Sequence, residues 1–205
     1  MKKNRGNRRF SDKPIPEELI VKILEAGSVA PSGPIDGIHI FIIDRKEIRQ
    51  DIHRICVESE RKWMAMQPAC VQERIVQGPD YDPNLSFLIE APLLLAVSTR
   101  PRDPELPYAV ESAFMTIGYM LVMTKGVGLI AAPYAPSVFH HTEVNRLDEI
   151  LKLPLGETVQ ALLPIGYPEK PLDTVHNWSG RNIFLNEYGT RFFQKPHSNQ
   201  RENVG

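Results

Sequence analysis

Arginine residues near both ends of the chain are of a type that binds phosphate. Arg5 and Arg8 flank Gly6-Asn7 in the opening segment, and Arg181 is an isolated cation in a later stretch. Guanidinium and backbone N–H groups can converge on a phosphate monoester, which carries roughly two negative charges at neutral pH. The spacing does not by itself bring Arg181 to the other two. The opening segment could also be a nucleic-acid arm or a solubilising tail.

The turn Ala30-Pro31-Ser32-Gly33-Pro34 is a second place where a ligand could approach. Its two prolines stiffen the backbone, and Gly33 admits the close approach of another group. Ser32 is small and polar, so it could bind a ring carbonyl or a phosphate. An ordinary tight turn explains these residues equally well.

Charge and composition exclude several classes of protein. Residues 15–205 hold 18 basic and 24 acidic residues, so the basic charge is confined to the opening segment and a general nucleic-acid surface is disfavoured. Cys56 and Cys70 lack a partner spacing, which favours a reducing compartment. No signal peptide is visible, and the apolar stretch 113–123 is too short to span a bilayer. The sequence therefore predicts a cytoplasmic protein with neither a membrane nor a nucleic acid as partner.

Other motifs favour ordinary structural explanations. GVGLIA (126–131) resembles a dinucleotide fingerprint, but it follows a predicted helix instead of a strand, which favours a helix end with Gly126 or Gly128 in a left-handed conformation. His140-His141 lacks further ligands at metal-site spacing, and no G-x-S-x-G nucleophile motif is present. We therefore expect no metal and no catalytic nucleophile.

The hydrophobic pattern predicts a single α+β domain with about four strands. Helices are predicted from about residue 15 to before 31, at about 45–65, at about 108–125 and near 143–152, with a helical turn at 86–90. Strands are predicted at 38–43, 93–98, 128–133 and 161–168, and the proline-containing segment 66–84 is predicted to be a mobile excursion. The aromatic residues of the segment 172–205 are expected to lie across another surface, such as a second subunit.

Taken in order, seven segments resemble the nitroreductase superfamily of FMN-dependent enzymes. They are NRGNRRF (4–10), PIPEE (14–18), APSG (30–33), EAPLLLAV (90–97), GVG (126–128), LLPIGYPEKP (162–171) and GRNIF (180–184). The resemblance implies one domain over residues 1–205 with a three-layer fold, in which helices flank a mainly antiparallel sheet. It also implies an interlocked homodimer with FMN at the subunit interface.

The same resemblance assigns roles to individual residues. It implies that Arg5, Gly6, Asn7, Arg8 and Arg181 hold the FMN phosphate, that Pro31, Ser32 and Gly33 line the flavin, and that Pro133, Tyr134 and Ala135 lie near flavin N5. The expected substrate contacts are Pro34, Glu60, Trp63 and Met64, within or near a substrate-side excursion at 57–89. The implied activity is reduction of a nitroaromatic, quinone or similar planar acceptor by NAD(P)H, with hydride transfer through FMN and no catalytic side chain.

Within the superfamily, residues 110–136 look most like the iodotyrosine deiodinase branch. The family threonines near N5 are replaced by Pro133, Tyr134 and Ala135. The family's substrate clamp, Glu-x-x-x-Tyr with a lysine, is matched only by Ser59 with Trp63 or Glu60 with Met64, and Leu85 stands near the lysine position. The alternatives that stay open are a deiodinase-like dehalogenase, a dimethylbenzimidazole-synthase-like flavoenzyme, and a flavin-binding protein without turnover.

Overall fold

The computed structural model describes residues 8–32, 37–78, 81–101, 103–136, 141–170 and Asn186, with residues 141–145 described by their backbone alone. The described residues up to 170 lie in one compact unit. The helices are α1 (Glu17–Ser28), α2 (Lys46–Ala65), α3 (Ala69–Val76), α4 (Phe87–Glu90), α5 (Ala109–Gly126) and α6 (His141–Leu151). The strands are β1 (Ile38–Ile42), β2 (Leu93–Thr99), β3 (Ile130–Ala131) and β4 (Thr158–Gly166).

The four strands form one sheet in the order β1-β2-β4-β3, and the three pairings between these strands are antiparallel. Leu93 of β2 lies opposite Ile165 of β4, and Ile130 of β3 lies opposite Gly166. The central strands β2 and β4 are buried along almost their whole length. Their nearly continuous apolar sequences suit strands that are covered on both faces.

Helices cover both faces of this sheet. Alternate residues of a strand point to opposite sides, so each central strand contributes side chains to both helical layers. One face packs against α1 and α5 through buried residues such as Ile23 and Met120. The other face packs against α2, α4 and α6 through residues such as Ile52, Phe87 and Leu147. The predicted α+β class, with an antiparallel sheet between two helical layers, is confirmed.

Helix α5 is buried on one face only, although its sequence is apolar on nearly every side. Its inner face is buried from Ala109 to Thr124. Its outer face leaves large apolar side chains at least 40% exposed, since the sheet of one chain covers only one side of the helix. These side chains are Phe114, Met115, Tyr119 and Val122. Within the described part of the chain, no helix is long and apolar enough to cross a membrane.

The Gly-Val-Gly sequence at the end of α5 terminates the helix, as predicted. Gly128 has a φ of 81°, in the left-handed region that glycine adopts without strain. The Leu129 N–H donates to the Thr124 carbonyl at 3.0 Å, which satisfies one of the last helical acceptors. The dinucleotide-fingerprint interpretation is wrong, because a helix precedes this sequence and β3 follows it.

Two segments differ from the predicted elements. The segment 66–84, predicted to be a mobile excursion, contains the two-turn helix α3, and Pro68 immediately precedes this helix, where a missing N–H costs nothing. The strand predicted at 128–133 is reduced to Ile130–Ala131. Pro133 has no N–H to donate to a ladder, so regular pairing stops there and returns only as the single bridge between Tyr134 and Leu162.

Two acidic side chains lie at the start of β4. The Glu157 side chain is 1% exposed, and its Oε1 contacts His39 Nδ1 at 2.8 Å and accepts a hydrogen bond from the Ser98 hydroxyl. Asp148 Oδ1 accepts the Val159 N–H at 3.0 Å. Burial raises the pKa of Asp148 from its usual 3.8 to about 6, and the charge of Glu157 also raises it, against the effect of the Val159 N–H.

Asp148→Asn is expected to remove a pH dependence of stability. The folded state favours the protonated form of Asp148. The contribution of this group to the free energy of unfolding is therefore fully present below about pH 4 and is lost as the pH rises through about 6. Asparagine keeps an oxygen for the Val159 N–H, so we expect it to raise the free energy of unfolding at about pH 8 by roughly 1 kcal/mol, a value discounted for partial exposure. Urea unfolding at both ends of this range measures the effect. Asp44→Asn, at an exposed position, is the control, and parallel pH profiles for Asp148→Asn and wild type would contradict the prediction.

Candidate functional site

Phe87 of α4 lies where segments far apart in the sequence meet. Its side chain is 1% exposed. The guanidinium carbon of Arg8 lies 4.7 Å from the centre of its ring, and the ring of Tyr134 lies 6.4 Å away, centre to centre, at 59°. These distances are typical of cation–π and tilted aromatic contacts. Helix α2 joins this group through Glu60, and we call Arg8, Glu60, Phe87 and Tyr134 the Phe87 cluster.

The segment that carries Arg8 is held against the chain that leaves β4. The Ser11 N–H donates to the Tyr167 carbonyl at 2.9 Å, and the Glu169 N–H donates to the Arg9 carbonyl at 3.2 Å. These two bonds fix the backbone beside Arg8. Apart from its contact with Phe87, the Arg8 guanidinium group has no hydrogen-bond acceptor within the described ranges. With respect to the described residues, its donors are available to an anion.

The loop 132–136 continues from β3 along the edge of β4. Tyr134 donates its N–H to the Leu162 carbonyl at 2.9 Å and accepts the Leu162 N–H at 2.7 Å. In such a doubly bonded antiparallel pair, the backbone groups of the flanking residues point away from the partner strand. Pro133 has no N–H, and the Ala135 N–H has no acceptor among the residues that the structure describes. Ala135 thus offers one backbone donor directed away from the sheet.

Tyr134 connects this loop to helix α2. Its side chain is only 6% exposed, and its hydroxyl lies 3.4 Å from Glu60 Oε2 and donates to it. Glu60 is half-buried. Cys56, one helical turn earlier on α2, is 1% exposed. The loop and the C-terminal half of α2 are therefore tied together at a partly desolvated carboxyl group.

Burial dominates the protonation of this group. It raises the pKa of Glu60, while the Tyr134 hydrogen bond and the Arg8 charge lower that pKa. It also raises the pKa of Tyr134 and that of Cys56 above their usual ranges, and the charge of Glu60 acts on both in the same direction. Tyr134 and Cys56 are accordingly neutral near neutral pH.

The arrangement can bind an anion at Arg8 and an acceptor atom at Ala135. No group of three or more His, Cys, Asp or Glu side chains that could hold a metal ion occurs among the described residues. The chemistry that these residues offer is binding and orientation by hydrogen bonds and one positive charge.

A model of the nitroreductase family matches residues 1–167. The chain belongs to the nitroreductase family. This match confirms the resemblance that the sequence motifs predicted.

Similar proteins of known name or structure agree with the family. The iodotyrosine deiodinase of Thermotoga neapolitana is 28% identical over 171 residues, which cover 83% of this chain and 87% of that protein. A crystal structure of an oxidised iodotyrosine deiodinase with FMN and 3-iodo-L-tyrosine has a TM-score of 0.73 and 26% identity, covering 90% of this chain and 94% of that one. An FMN-dependent nitroreductase from Clostridium difficile R20291 has the same fold, with a TM-score of 0.66 at 20% identity, 91% of this chain and 96% of that chain being covered. The predicted nitroreductase-like fold is confirmed.

This member of the nitroreductase family brings some of the predicted site residues together. Arg8, Tyr134 and Glu60 meet in the Phe87 cluster, and Pro133 and Ala135 flank Tyr134. Pro31 and Ser32 are exposed beyond the end of α1, and Trp63 and Met64 are partly exposed on the last turn of α2. The remaining predicted site residues lie outside the described ranges. They are Arg5, Gly6, Asn7, Gly33, Pro34 and Arg181.

Two positions compared with the deiodinase substrate clamp are buried. Ser59 and Leu85 are each 2% exposed. The Ser59 hydroxyl has no hydrogen-bond partner within the described part of the chain. Neither side chain is accessible to a free amino acid that enters from the solvent. Only Glu60 and Met64 therefore remain as matches to the clamp.

Phe87 and Cys56 belong to this region but were not among the site residues predicted from the sequence. Phe87 lies in the short helical turn 86–90, and no periodicity marked it as a contact of Arg8 or Tyr134. The only signal in the sequence was a bulky aromatic residue next to a predicted buried strand. Its role depends on the tertiary contact between three segments, which spacing does not reveal.

Proposed function

We propose that this chain is an FMN-dependent oxidoreductase that uses NAD(P)H to reduce a nitroaromatic, a quinone or a similar planar acceptor. The observation that carries the proposal is a pair of donors that the described residues leave without acceptors, the Arg8 guanidinium and the Ala135 N–H. A phosphate and a ring nitrogen are chemically suited to these two donors. Membership of the nitroreductase family supports FMN as the ligand that supplies both.

The proposed binding site uses residues from several segments. Arg8 binds the FMN phosphate together with Arg5, Gly6, Asn7 and Arg181. The turn Pro31-Ser32-Gly33 lines the flavin, and the Ala135 N–H donates to flavin N5. Bound FMN would transfer hydride between NAD(P)H and the acceptor. The chain itself binds, orients and shields the reactants, and no side chain acts as a nucleophile.

The outer face of α5 supports the proposal of a homodimer. Phe114, Met115, Tyr119 and Val122 form a row of large apolar side chains that one chain leaves exposed. Such a row is costly in water and is typical of an interface. A second copy of the chain is the proposed partner, and light scattering of the FMN-bound protein is expected to give the mass of a dimer.

A second candidate is reductive dehalogenation, because the similar iodotyrosine deiodinase of Thermotoga neapolitana matches over most of this chain. The local geometry favours the first candidate. Ser59 and Leu85 are buried, and the Glu60 carboxyl is turned toward Tyr134. The zwitterion clamp expected of a deiodinase thus lacks its lysine, and its only carboxylate is engaged by the protein.

Comparison of acceptors tests the choice between the two activities. With FMN and excess NAD(P)H, we expect turnover of a nitroarene or a quinone and no release of iodide from 3-iodo-L-tyrosine. Reduction of the flavin by light should then proceed in one two-electron step, since no threonine hydroxyl stands at positions 133–135. Iodide release with no turnover of nitroarene or quinone would favour the deiodinase-like alternative instead.

A further inference from the structure

Glu60 occupies an unusual position between two parts of the proposed FMN site. Its carboxylate accepts a hydrogen bond from the Tyr134 hydroxyl at 3.4 Å, and Tyr134 directly precedes Ala135, whose N–H has no acceptor among the described residues. On the other side, the Arg8 guanidinium lies 4.7 Å from Phe87, the ring against which Tyr134 also packs. Glu60 is thus hydrogen-bonded to the loop 132–136 through Tyr134, and Arg8, which packs on the same ring as Tyr134, acts on it by its charge.

Among the described residues, Arg8 is the cation from another segment that acts on Glu60. The titratable groups of this region are Tyr134 from the loop, Arg8 from the N-terminal segment and Cys56 from α2 itself. Burial keeps Tyr134 and Cys56 neutral near neutral pH. The charge of Glu60 therefore depends on the balance between burial, which favours the protonated form, and Arg8 with the Tyr134 hydroxyl, which favour the carboxylate.

We propose that binding of FMN is coupled to uptake of a proton by Glu60, because the FMN phosphate that binds Arg8 cancels the positive charge facing this carboxyl. The inference rests on the proposed function, in which Arg8 holds the phosphate. A phosphate with roughly two negative charges offsets the positive potential that Arg8 produces at Glu60, so protonation of Glu60 becomes more favourable than in the FMN-free protein.

Glu60 is then a positioning residue that acts through Arg8 and Tyr134. By linkage, a ligand that promotes proton uptake binds more tightly when the proton is already present. The FMN affinity of the wild type therefore falls as the pH rises through the window in which Glu60 titrates, by at most about ten-fold per pH unit. Once protonated, Glu60 no longer competes with the phosphate for the charge of Arg8.

Calorimetric titration with FMN in buffers of different ionisation enthalpy measures this proton uptake. The FMN phosphate titrates near pH 6, so the informative quantity is the difference between wild type and Glu60→Gln. Because burial raises the pKa of Glu60, we expect the wild type to take up more protons than Glu60→Gln at pH values above the ordinary titration range of a carboxyl group. Riboflavin, which lacks the phosphate, should abolish this difference. Glu58→Gln is the control, because Glu58 is on the same helix and pairs with Arg146 at 2.7 Å.

Each outcome decides the proposal. Equal proton uptake by wild type and Glu60→Gln on binding FMN would overturn it. The same holds if the difference in proton uptake between the two proteins is as large with riboflavin as with FMN. Tyr134→Phe provides a second variant, since loss of the hydroxyl raises the pKa of Glu60 and should move the proton uptake to higher pH; an unmoved profile would also overturn it. Failure of every variant and of wild type to bind FMN would instead refute the proposed function.

Discussion

Gly166→Ala is expected to lower the free energy of unfolding by about 1–3 kcal/mol and to weaken FMN binding. A methyl group at this position would lie 2.7 Å from Pro92 Cδ and 2.8 Å from Phe10 Cδ1. Carbon atoms do not approach so closely, and the proline ring has little freedom to move. Phe10 must therefore shift, and with it the backbone that carries Arg8 two residues earlier.

Urea unfolding and FMN titration of the same preparation measure the two effects. Gly126→Ala is the matched control, because a methyl group there meets nothing within 4 Å. We expect this control to be neutral or slightly stabilising, as alanine is favoured over glycine in helices. Unchanged stability of Gly166→Ala would show that Phe10 and Pro92 relax without cost. That result would contradict their tight packing against Gly166.

Arg8→Met is expected to weaken FMN binding by roughly ten- to a hundred-fold, the value of losing charge-assisted hydrogen bonds of about 1.5–3 kcal/mol. Methionine keeps an apolar stem against Phe87 but cannot bind a phosphate. Riboflavin affinity should change little, since riboflavin lacks the group that Arg8 is proposed to bind.

Fluorescence titration with both flavins separates a phosphate contact from a general loss of structure. Arg45→Met, at an exposed position before α2, removes the same charge elsewhere and should leave both affinities unchanged. An equal loss of FMN and riboflavin affinity in Arg8→Met would mean that Arg8 supports the fold and does not bind the phosphate.

The helices and central strands could be predicted because their hydrophobic periods are local. Helix α2 (Lys46–Ala65) and strand β2 (Leu93–Thr99) begin and end within one or two residues of their predicted bounds. Strand β3 could not be predicted to end at Ala131, because the interruption depends on how Pro133 meets the edge of β4. The exposed face of α5 was also missed, since periodicity does not tell whether a second chain covers it.

The candidate site was predicted only in part, because its contacts join distant segments. Family motifs indicated Arg8 and Tyr134, but nothing in the sequence indicated that both would pack against Phe87. Arg49 is a similar case. It is one of many charged residues on α2, yet its guanidinium donates to the carbonyls of Ile43 and Ala91, at 3.1 and 2.6 Å, and so anchors the loops beside β1 and β2. Such roles follow from tertiary packing, which residue type and spacing do not encode.

Anaerobic mixing of the FMN-loaded protein with NAD(P)H, followed by addition of a nitroarene or a quinone, shows whether the protein is an NAD(P)H-dependent flavin oxidoreductase. We expect the flavin absorbance to be lost with NADH or NADPH and to return when the acceptor is added, with one equivalent of each reactant consumed per flavin. A protein that binds FMN but whose absorbance is unchanged by both nicotinamides would contradict the proposed oxidoreductase.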